Sequence, residues 1–138
     1  MGGVPGNVIH PVITNPQPEH IGGLGALFKL CAPGMVGRPC NPENTLVAVH
    51  DGQVIGVAMV WGAGMPYGWI DCFYVLPKYR NQGVGVWLVE AAEKLLLSQG
   101  VTAIRAYATK DTYNLLKRAG YQEREVCTIM ERDHGRLL

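Results

Sequence analysis

Six consecutive residues, Arg80 to Gly85, place a guanidinium and two polar side chains before a glycine pair, and an apolar stretch follows at once. No acid lies here, although a helix N-terminus favours a carboxylate in its first turn. The first N–H groups of a helix lack internal partners and, with the helix dipole, form an anion site. Glycine lets a ligand approach the main chain closely, and arginine suits phosphate. The segment therefore predicts a pyrophosphate site from which an acid would repel the ligand.

Two well-known phosphate loops do not fit this segment. A Walker loop needs Lys-Ser or Lys-Thr after its second glycine, and neither pair occurs in the chain. A dinucleotide fingerprint needs a third glycine where Leu88 stands, and it belongs after the first strand of a domain. Here the preceding strand is the fourth that the sequence predicts.

The hydrophobic periodicity predicts the elements that must position this loop. Asp51 and Gly52 separate two apolar runs, which indicates a hairpin with a type I′ turn. In chain order we expect an edge strand at 7–14, a helix ending near 31, a Pro- and Gly-rich loop at 32–44, strands at 45–50, 53–61 and 69–75, a helix at 84–99, a strand at 102–109, a short helix capped by Asp111 and ending at Gly120, and at least one strand after 121.

Composition limits the class of protein. With 138 residues, 48% hydrophobic and 17% charged residues, the chain is predicted to form a single globular domain over 1–138. The formal charge of +1 gives no field that would select nucleic acid, and no apolar run is long enough for a membrane helix. The N-terminus lacks the pattern of a secretion signal, so a cytoplasmic protein is expected. Four cysteines without CxxC or zinc spacing are expected to be buried thiols, with no metal site.

The segment Arg80-x-x-Gly83-x-Gly85, after a strand ending "FYVLPKYR", resembles the acetyl-CoA signature of the GNAT superfamily of N-acetyltransferases. The likeness runs from Thr45 to about Met130 and includes the Asp-Gly hairpin, the signature helix and a short helix closing with "AGY". It implies an α/β (α+β) fold with a mixed, mostly antiparallel sheet of about six to seven strands. Helices would cover both faces, and the sheet would be splayed between its fourth and fifth strands.

The resemblance also implies a function and a donor site. The function is transfer of an acetyl group from acetyl-CoA to a primary amine of a small molecule or peptide by direct attack. The alternative is a non-catalytic module that binds acyl-CoA or has a regulatory role. The positions that match the family's donor site are the strand end that holds the pantetheine arm and polarises the thioester, the signature loop that holds the pyrophosphate, and the residue before the short helix: Phe73, Tyr74, Val75, Arg80, Asn81, Gln82, Gly83, Val84, Gly85 and Thr109.

Two side chains are candidates for proton transfer. Asp71 is the one acid on the strand before the loop, and strand alternation predicts that it shares a face with Phe73 and Val75. It would act as the base or the amine anchor, or else be a solvated or salt-bridged acid on the outer face. Many family members use a Tyr as the acid, at a position where this chain has Leu116. Tyr113, one turn earlier, would substitute for it, pack on the pantetheine or core, or leave the proton to water.

The acceptor side is expected to involve the loops at 32–44 and 62–68. Aromatic and sulfur side chains surround the second loop: Trp61, Met65, Tyr67 and Trp69. These would cradle an amine by cation–π contact, or simply pack in the core and rim. No nucleic acid, membrane or metal is expected as a partner, and the resemblance implies that a homodimer is common in the family.

Overall fold

The computed structural model describes residues 8–31, 41–62 and 66–126, together with residues 128, 130 and 132. Most of the predicted 32–44 loop therefore lies outside the described residues. Five strands and three α-helices follow one another in the order β1 (Val12–Thr14), α1 (Ile21–Cys31), β2 (Thr45–His50), β3 (Gln53–Trp61), β4 (Gly68–Val75), α2 (Val84–Ser98), β5 (Ile104–Ala106) and α3 (Tyr113–Arg118). Within the described ranges, no helix has the length and apolarity that crossing a bilayer requires.

The strands form one sheet in the order β1-β2-β3-β4-β5. Neighbours from β1 to β4 are antiparallel, whereas β4 and β5 are parallel, so the prediction of a mixed, mostly antiparallel sheet is confirmed. Asp51 and Gly52 have φ angles of 50° and 76°, the positive values that a type I′ turn requires. The Asp-Gly hairpin between β2 and β3 is therefore also confirmed.

The described residues form five strands, fewer than the predicted six to seven. Residues 121–126, expected to begin the last strand, adopt no strand, and Cys127 and Ile129 lie outside the described residues. The run Gln122 to Glu125 is polar and exposed, and Val126 after it is 89% exposed. This run offers no alternating apolar face to bury against a sheet, so local sequence alone does not form a strand here.

Helices cover both faces of the sheet, as predicted. On one face, α2 buries a helical stripe consisting of Val84, Leu88, Ala92 and Leu96. On the other face, α1 buries Leu24 and Leu27 against β3 and β4. Complete burial of each leucine contributes about 2–3 kcal/mol, so both stripes hold the central strands firmly. These two packed layers fix β4 and the start of α2, between which the predicted site lies.

The pairing between β4 and β5 is short. Gly68, Trp69 and Ile70 pair with Ile104, Arg105 and Ala106, and the ladder stops there. The strand predicted at 102–109 is thus three residues long, Ile104–Ala106. Residues 71–75 of β4 lie beyond the end of this ladder, and among the described strands none pairs with them on that edge.

Candidate functional site

The turn between β4 and α2 has an unusual main-chain shape. A 3-10 turn at Pro77–Tyr79 precedes it, and then Asn81 and Gly83 both have positive φ, 62° and 91°. Gly83 is the N-cap residue of α2, and it has no side chain that could cap the helix. The first N–H groups of α2 therefore lack both an intrahelical partner and a side-chain acceptor from the N-cap. They form the positive end of the helix dipole, as the sequence predicted for an anion site.

The two glycines of the turn serve different purposes. At Gly83 an added Cβ would meet nothing closer than 3.6 Å, so the glycine is required by its positive φ rather than by space. At Gly85 an added Cβ would lie 2.7 Å from Cδ2 of Leu115 and 3.6 Å from the ring of Phe73. The expectation that Gly85 serves only ligand approach is therefore incomplete, because it also lets α2 pack closely on α3.

Arg80 is held at the end of β4. Its Nε donates a 2.8 Å hydrogen bond to the carbonyl oxygen of Val75, and its guanidinium lies 5.0 Å from the ring centroid of Tyr74. Nη1 is 3.7 Å from Oδ1 of Asp111, in the loop that leads to α3. Asp111 was expected to cap α3, but the N-cap residue is Thr112, and the Asp111 carboxylate pairs with Arg80 instead. Arg80 thus connects the end of β4 to the loop between β5 and α3.

The register of β4 determines which main-chain groups face its unpaired edge. The N–H of Leu76 donates to the carbonyl of Ile55 at 2.9 Å, which makes this opposed pair a hydrogen-bonded one. Hydrogen-bonded and non-bonded pairs alternate along an antiparallel ladder. The main-chain N–H and carbonyl of Tyr74 therefore bond toward Val57 in β3, whereas those of Phe73 and Val75 point away from β3. The predicted role of Tyr74 in the donor site therefore falls to its side chain rather than to its main chain.

Asp71 is the extra residue of a β-bulge. Met59 pairs with Cys72 while Val60 pairs with Ile70, so β4 has one residue more than β3 at this point. The bulge breaks the alternation that predicted a shared face for Asp71, Phe73 and Val75. Oδ2 of Asp71 accepts a 2.9 Å hydrogen bond from the indole of Trp61.

The bulge moves Asp71 to the face of the sheet that α1 covers. Trp61 follows Val60, which packs on the α2 side, so alternation puts Trp61 on the α1 side. Phe73 and Val75 pack on the α2 side. The predicted common face is therefore wrong, and the physical reason is a register shift that no local pattern reveals.

Two of the three aromatic side chains predicted to cradle an amine, Tyr67 and Trp69, already hold a cation. The guanidinium of Arg105 lies 4.1 Å from the ring centroid of Tyr67 and 5.7 Å from that of Trp69. Trp69 also stacks on Tyr107 with 4.9 Å between ring centroids. Nη1 of Arg105 lies 3.4 Å from a carboxylate oxygen of Glu125. Met65, the remaining member of the predicted cluster, lies outside the described residues.

Arg105 is the site residue that the sequence interpretation missed. Its signal is the cross-strand pairing with Trp69, which is visible only once β4 and β5 are aligned. Its partners come from β4 and from the segment after α3, so no local spacing indicates the cluster.

The residues near α3 are engaged with one another. The carbonyl of Thr109 accepts hydrogen bonds from the N–H groups of Thr112 and Tyr113, and its own N–H donates to Oγ1 of Thr112 at 2.9 Å. The hydroxyl of Tyr113 donates to Oε2 of Glu123. Leu116, at the position where the acid was expected, is 4% exposed. Tyr113 is thus the hydroxyl available in α3, and its proton is directed at a carboxylate.

Tyr121 is a second hydroxyl near this end of the molecule. It donates a 2.7 Å hydrogen bond to Glu93 in α2. Burial, and then the Glu93 carboxylate, raise the pKa of Tyr121 far above its ordinary value. The hydroxyl keeps its proton at physiological pH and is therefore a poor acid for a leaving thiolate.

The predicted residues form two groups along β4. Arg80 to Gly85, the outward groups of Phe73 and Val75, and Thr109 with Asp111 lie toward the end of β4 and the start of α2. Asp71 lies four residues before Val75, which is about 13 Å along a strand. In the part of the chain that is described, no group of three or more His, Cys, Asp or Glu side chains could hold a metal ion.

Residues 28–122 match the family model described as the Acetyltransferase (GNAT) family. An uncharacterised N-acetyltransferase of Chlorobaculum tepidum is 35% identical over 107 residues, which cover 78% of this chain and 66% of that protein. An aminoglycoside N(6')-acetyltransferase type 1 of Klebsiella aerogenes is 36% identical over 76 residues, covering 48% of this chain and 49% of that protein. The matched part thus spans about two thirds of the first relative and about half of the second.

Solved structures share the fold. The aminoglycoside N-acetyltransferase AAC(6')-Iy, in complex with the bisubstrate analogue CoA-S-monomethyl-acetylneamine, superposes with a TM-score of 0.70 and 19% identity. The superposition covers 91% of this chain and 99% of that one. At this level of identity the likeness concerns the fold.

Proposed function

This chain belongs to the GNAT family of acetyltransferases, and from that premise we propose that it transfers an acetyl group from acetyl-CoA to a primary amine of a small molecule. The observation that carries the proposal is the position of the unpaired edge of β4 beside the N-terminus of α2. The edge of β4 offers outward main-chain groups to an extended arm that contains amides, and the N-terminus of α2 offers N–H groups to an anion. Together they suit a ligand that has both parts, as CoA does.

In the proposed donor site, the main-chain N–H groups of the turn hold the pyrophosphate, and Arg80 flanks it. The residues are Asn81, Gln82, Gly83, Val84 and Gly85. Phe73 binds the pantetheine arm by its outward N–H and carbonyl, and Val75 by its outward N–H, since its carbonyl accepts from Arg80. Tyr74 contributes through its ring, on which Arg80 lies. Thr109 contributes by fixing the start of α3 beside the arm. The positive φ of Gly83 supports this assignment, because a residue with a side chain would adopt that φ only at a cost in conformational energy.

Bound acetyl-CoA would supply the thioester whose carbonyl carbon the amine attacks. The N–H of Phe73 is two residues from Asp71 and is aimed at the open edge, so it is suited to stabilise negative charge on the thioester oxygen. An alkylamine has a pKa of about 10.4 and must lose a proton before or during attack. Asp71, oriented by the Trp61 indole, accepts that proton directly or through water. The new bond joins nitrogen to the acetyl carbon, and the carbon–sulfur bond breaks.

The departing thiolate takes one proton. We assign Tyr113 to this step. Position 116, where the family resemblance led us to expect a Tyr, holds a buried leucine, and Tyr113 is the hydroxyl that α3 offers instead. Its proton is donated to Glu123, so the hydroxyl has to turn from that carboxylate to reach the thiolate. A thiol has a pKa of about 8.5, so the step needs little acid strength, and a water molecule could complete it.

The acceptor class is supported by charge and by the relatives. Asp71 and the aromatic surface of Trp61, Tyr67 and Trp69 form a side of the sheet suited to a cation. The likeness to an aminoglycoside N(6')-acetyltransferase favours a small-molecule amine over a protein acceptor. Arg105 already occupies the Tyr67 and Trp69 rings, so an acceptor ammonium would be anchored by Asp71 rather than by those two rings.

The test is release of free CoA thiol from acetyl-CoA with a panel of amines. The panel contains neamine, spermidine, a peptide with a free N-terminus and a peptide whose only amine is a lysine. We expect release with at least one small-molecule amine and retention of the acetyl group on its nitrogen by mass spectrometry. Tight CoA binding without turnover of any amine would contradict the proposal.

A second candidate is a module that binds acyl-CoA without turning it over. The buried Leu116, together with a Tyr113 hydroxyl committed to Glu123, favours this reading. The same assay separates the two functions, since the module would bind CoA and release no thiol.

A further inference from the structure

The segment before β1 lies against the turn that the donor site uses. The main-chain N–H of Ile9 donates a 2.9 Å hydrogen bond to the carbonyl oxygen of Gln82. A Cβ added at Gly83 would lie 3.6 Å from Cγ1 of Val8 and 3.9 Å from the carbonyl oxygen of Ile9. The ring of His10 meets that of Trp87 edge-on, with 5.5 Å between centroids. Three successive residues, Val8–His10, thus contact the turn and the first turn of α2.

The bond from Ile9 fixes the orientation of one peptide plane. In a trans peptide, the carbonyl and the following N–H point in opposite directions, and the described residues contain no cis bond. Because the Gln82 carbonyl points at Ile9, the N–H of Gly83 must point away from the N-terminal segment. This N–H is one of the groups assigned to the pyrophosphate.

The turn needs such a constraint. Gly83 has positive φ and no Cβ, so the peptide before it can rotate with little steric resistance. From the opposite side, the side chain of Gln82 donates from Nε2 to the carbonyl of Lys78 at 3.0 Å. This second contact fixes the side chain of Gln82 and leaves the orientation of its carbonyl to Ile9.

We propose that Val8–His10 is a brace that positions the Gln82–Gly83 peptide for anion binding, and that the N–H of Ile9 is its positioning group. The inference rests on the proposed function, since it assigns a role in holding CoA. It adds a part of the chain that lies outside the signature turn and outside the residues matched by the family model. The brace acts on the donor, so its loss affects CoA affinity and the KM for acetyl-CoA rather than kcat.

The effect of the Ile9 hydrogen bond has to be separated from the effect of side-chain packing, because the Ile9 side chain is partly buried against the core cluster that α2 forms. Two variants make the separation. Ile9→Ala removes the packing and keeps the N–H, whereas Ile9→Pro removes the N–H and keeps an apolar side chain of similar bulk, the pyrrolidine ring. The difference between the two variants measures the hydrogen bond, and the melting temperature of each measures the packing.

The experiment is calorimetric titration of CoA into wild type and both variants, at a temperature where all three are folded by circular dichroism. We expect Ile9→Pro to bind CoA about fivefold more weakly than Ile9→Ala, the effect of one hydrogen bond. With an amine that wild type acetylates, the KM for acetyl-CoA should rise by a similar factor and kcat should stay within about twofold. Equal CoA affinities of the two variants would overturn the brace. Failure of wild type to bind CoA would instead overturn the proposed function.

A second measurement decides the question if Ile9→Pro does not fold. Amide hydrogen exchange of wild type is followed by NMR with and without saturating CoA. We expect CoA to slow exchange of the Ile9 N–H more than that of the N–H groups in β1, because the anion holds the peptide that Ile9 contacts. Slowing at Ile9 no greater than in β1 would contradict the proposal.

Discussion

The turn between β4 and α2 is shaped by main-chain conformation, whereas the surface around Asp71 is shaped by the packing of large side chains. At the turn, the important groups are N–H groups, a positive φ at Gly83 and an N-cap without a side chain. Around Asp71, the important groups are an indole hydrogen bond, a β-bulge and a guanidinium between aromatic rings. Both regions adjoin the same strand.

This difference explains how one fold serves different acceptors. A site made of main-chain groups keeps its ligand when most side chains change, so it suits an unchanging donor. A site made of side chains changes with each substitution, so it suits a variable acceptor. The comparison requires that changes on the donor side weaken CoA binding while changes on the acceptor side lower turnover. The predictions at Asp71, Arg80 and Trp61 test that separation.

The largest effect is expected at Asp71. Asp71→Asn keeps the size of the side chain and the hydrogen bond from Trp61 but removes the base. We expect kcat to fall by about 10²–10⁴-fold, the usual contribution of a general base. CoA affinity, measured by calorimetry, should stay within about twofold. A variant that loses CoA affinity and keeps kcat would reverse the assignment of the two regions.

A smaller effect is expected at Arg80. Arg80→Gln removes the positive charge beside the turn, and CoA should bind about tenfold more weakly, as expected for loss of one charge-assisted hydrogen bond. The control is Asp111→Asn, which removes the carboxylate that pairs with Arg80 and keeps the guanidinium. The control should bind CoA at least as tightly as wild type, and weaker binding by the control would show that the pair, rather than the charge, matters.

Gly85 in the turn and Gly25 in α1 differ in what their replacement disturbs. Gly85→Ala places a Cβ 2.7 Å from Cδ2 of Leu115, the movable end of a side chain, so the overpacking should cost about 1 kcal/mol of unfolding free energy, the low end of such costs. Gly25→Ala in α1, where an added Cβ meets nothing within 4 Å, should instead stabilise by about 0.5–1 kcal/mol. Urea unfolding measures both. Equal stabilities of the two variants would remove the packing role of Gly85.

The smallest effect is expected at Trp61. Trp61→Phe removes the indole donor to Asp71 and keeps an aromatic ring, so kcat should fall about fivefold, the worth of one hydrogen bond. An unchanged kcat would mean that Trp61 only packs beside Asp71.

The sequence predicted the elements around the turn between β4 and α2 well because their signals are local. The glycine pair, the missing acid and the helical stripe of Leu88 and Leu96 all lie within one segment, and each has a direct physical reason. The type I′ turn at Asp51 and Gly52 is equally local. Such features are decided by neighbouring residues, so the structure agrees with them.

The acceptor side could not be predicted to the same extent because it depends on distant pairings. The bulge at Asp71 arises from the register between β3 and β4, and the position of Arg105 arises from the alignment of β5 with Trp69. The contact of Ile9 with Gln82 also joins distant parts of the chain. Strand alternation gave the wrong face for Asp71 for this reason, and the strand expected after 121 had no apolar face to make it form.

The central claim is that the turn at Gly83 binds an anion through its main chain. Calorimetric titration of CoA into Gly83→Asp and Gly83→Asn tests it most directly. The two side chains are the same size and bear the same strain at a φ of 91°, so they differ in charge alone. The added side chain starts toward Val8 and Ile9, so its carboxylate acts on the pyrophosphate across the turn and should cost about 1.4 kcal/mol, a tenfold loss of affinity. The account predicts that the Asp variant binds CoA about tenfold more weakly than the Asn variant, and equal affinities of the two would contradict it.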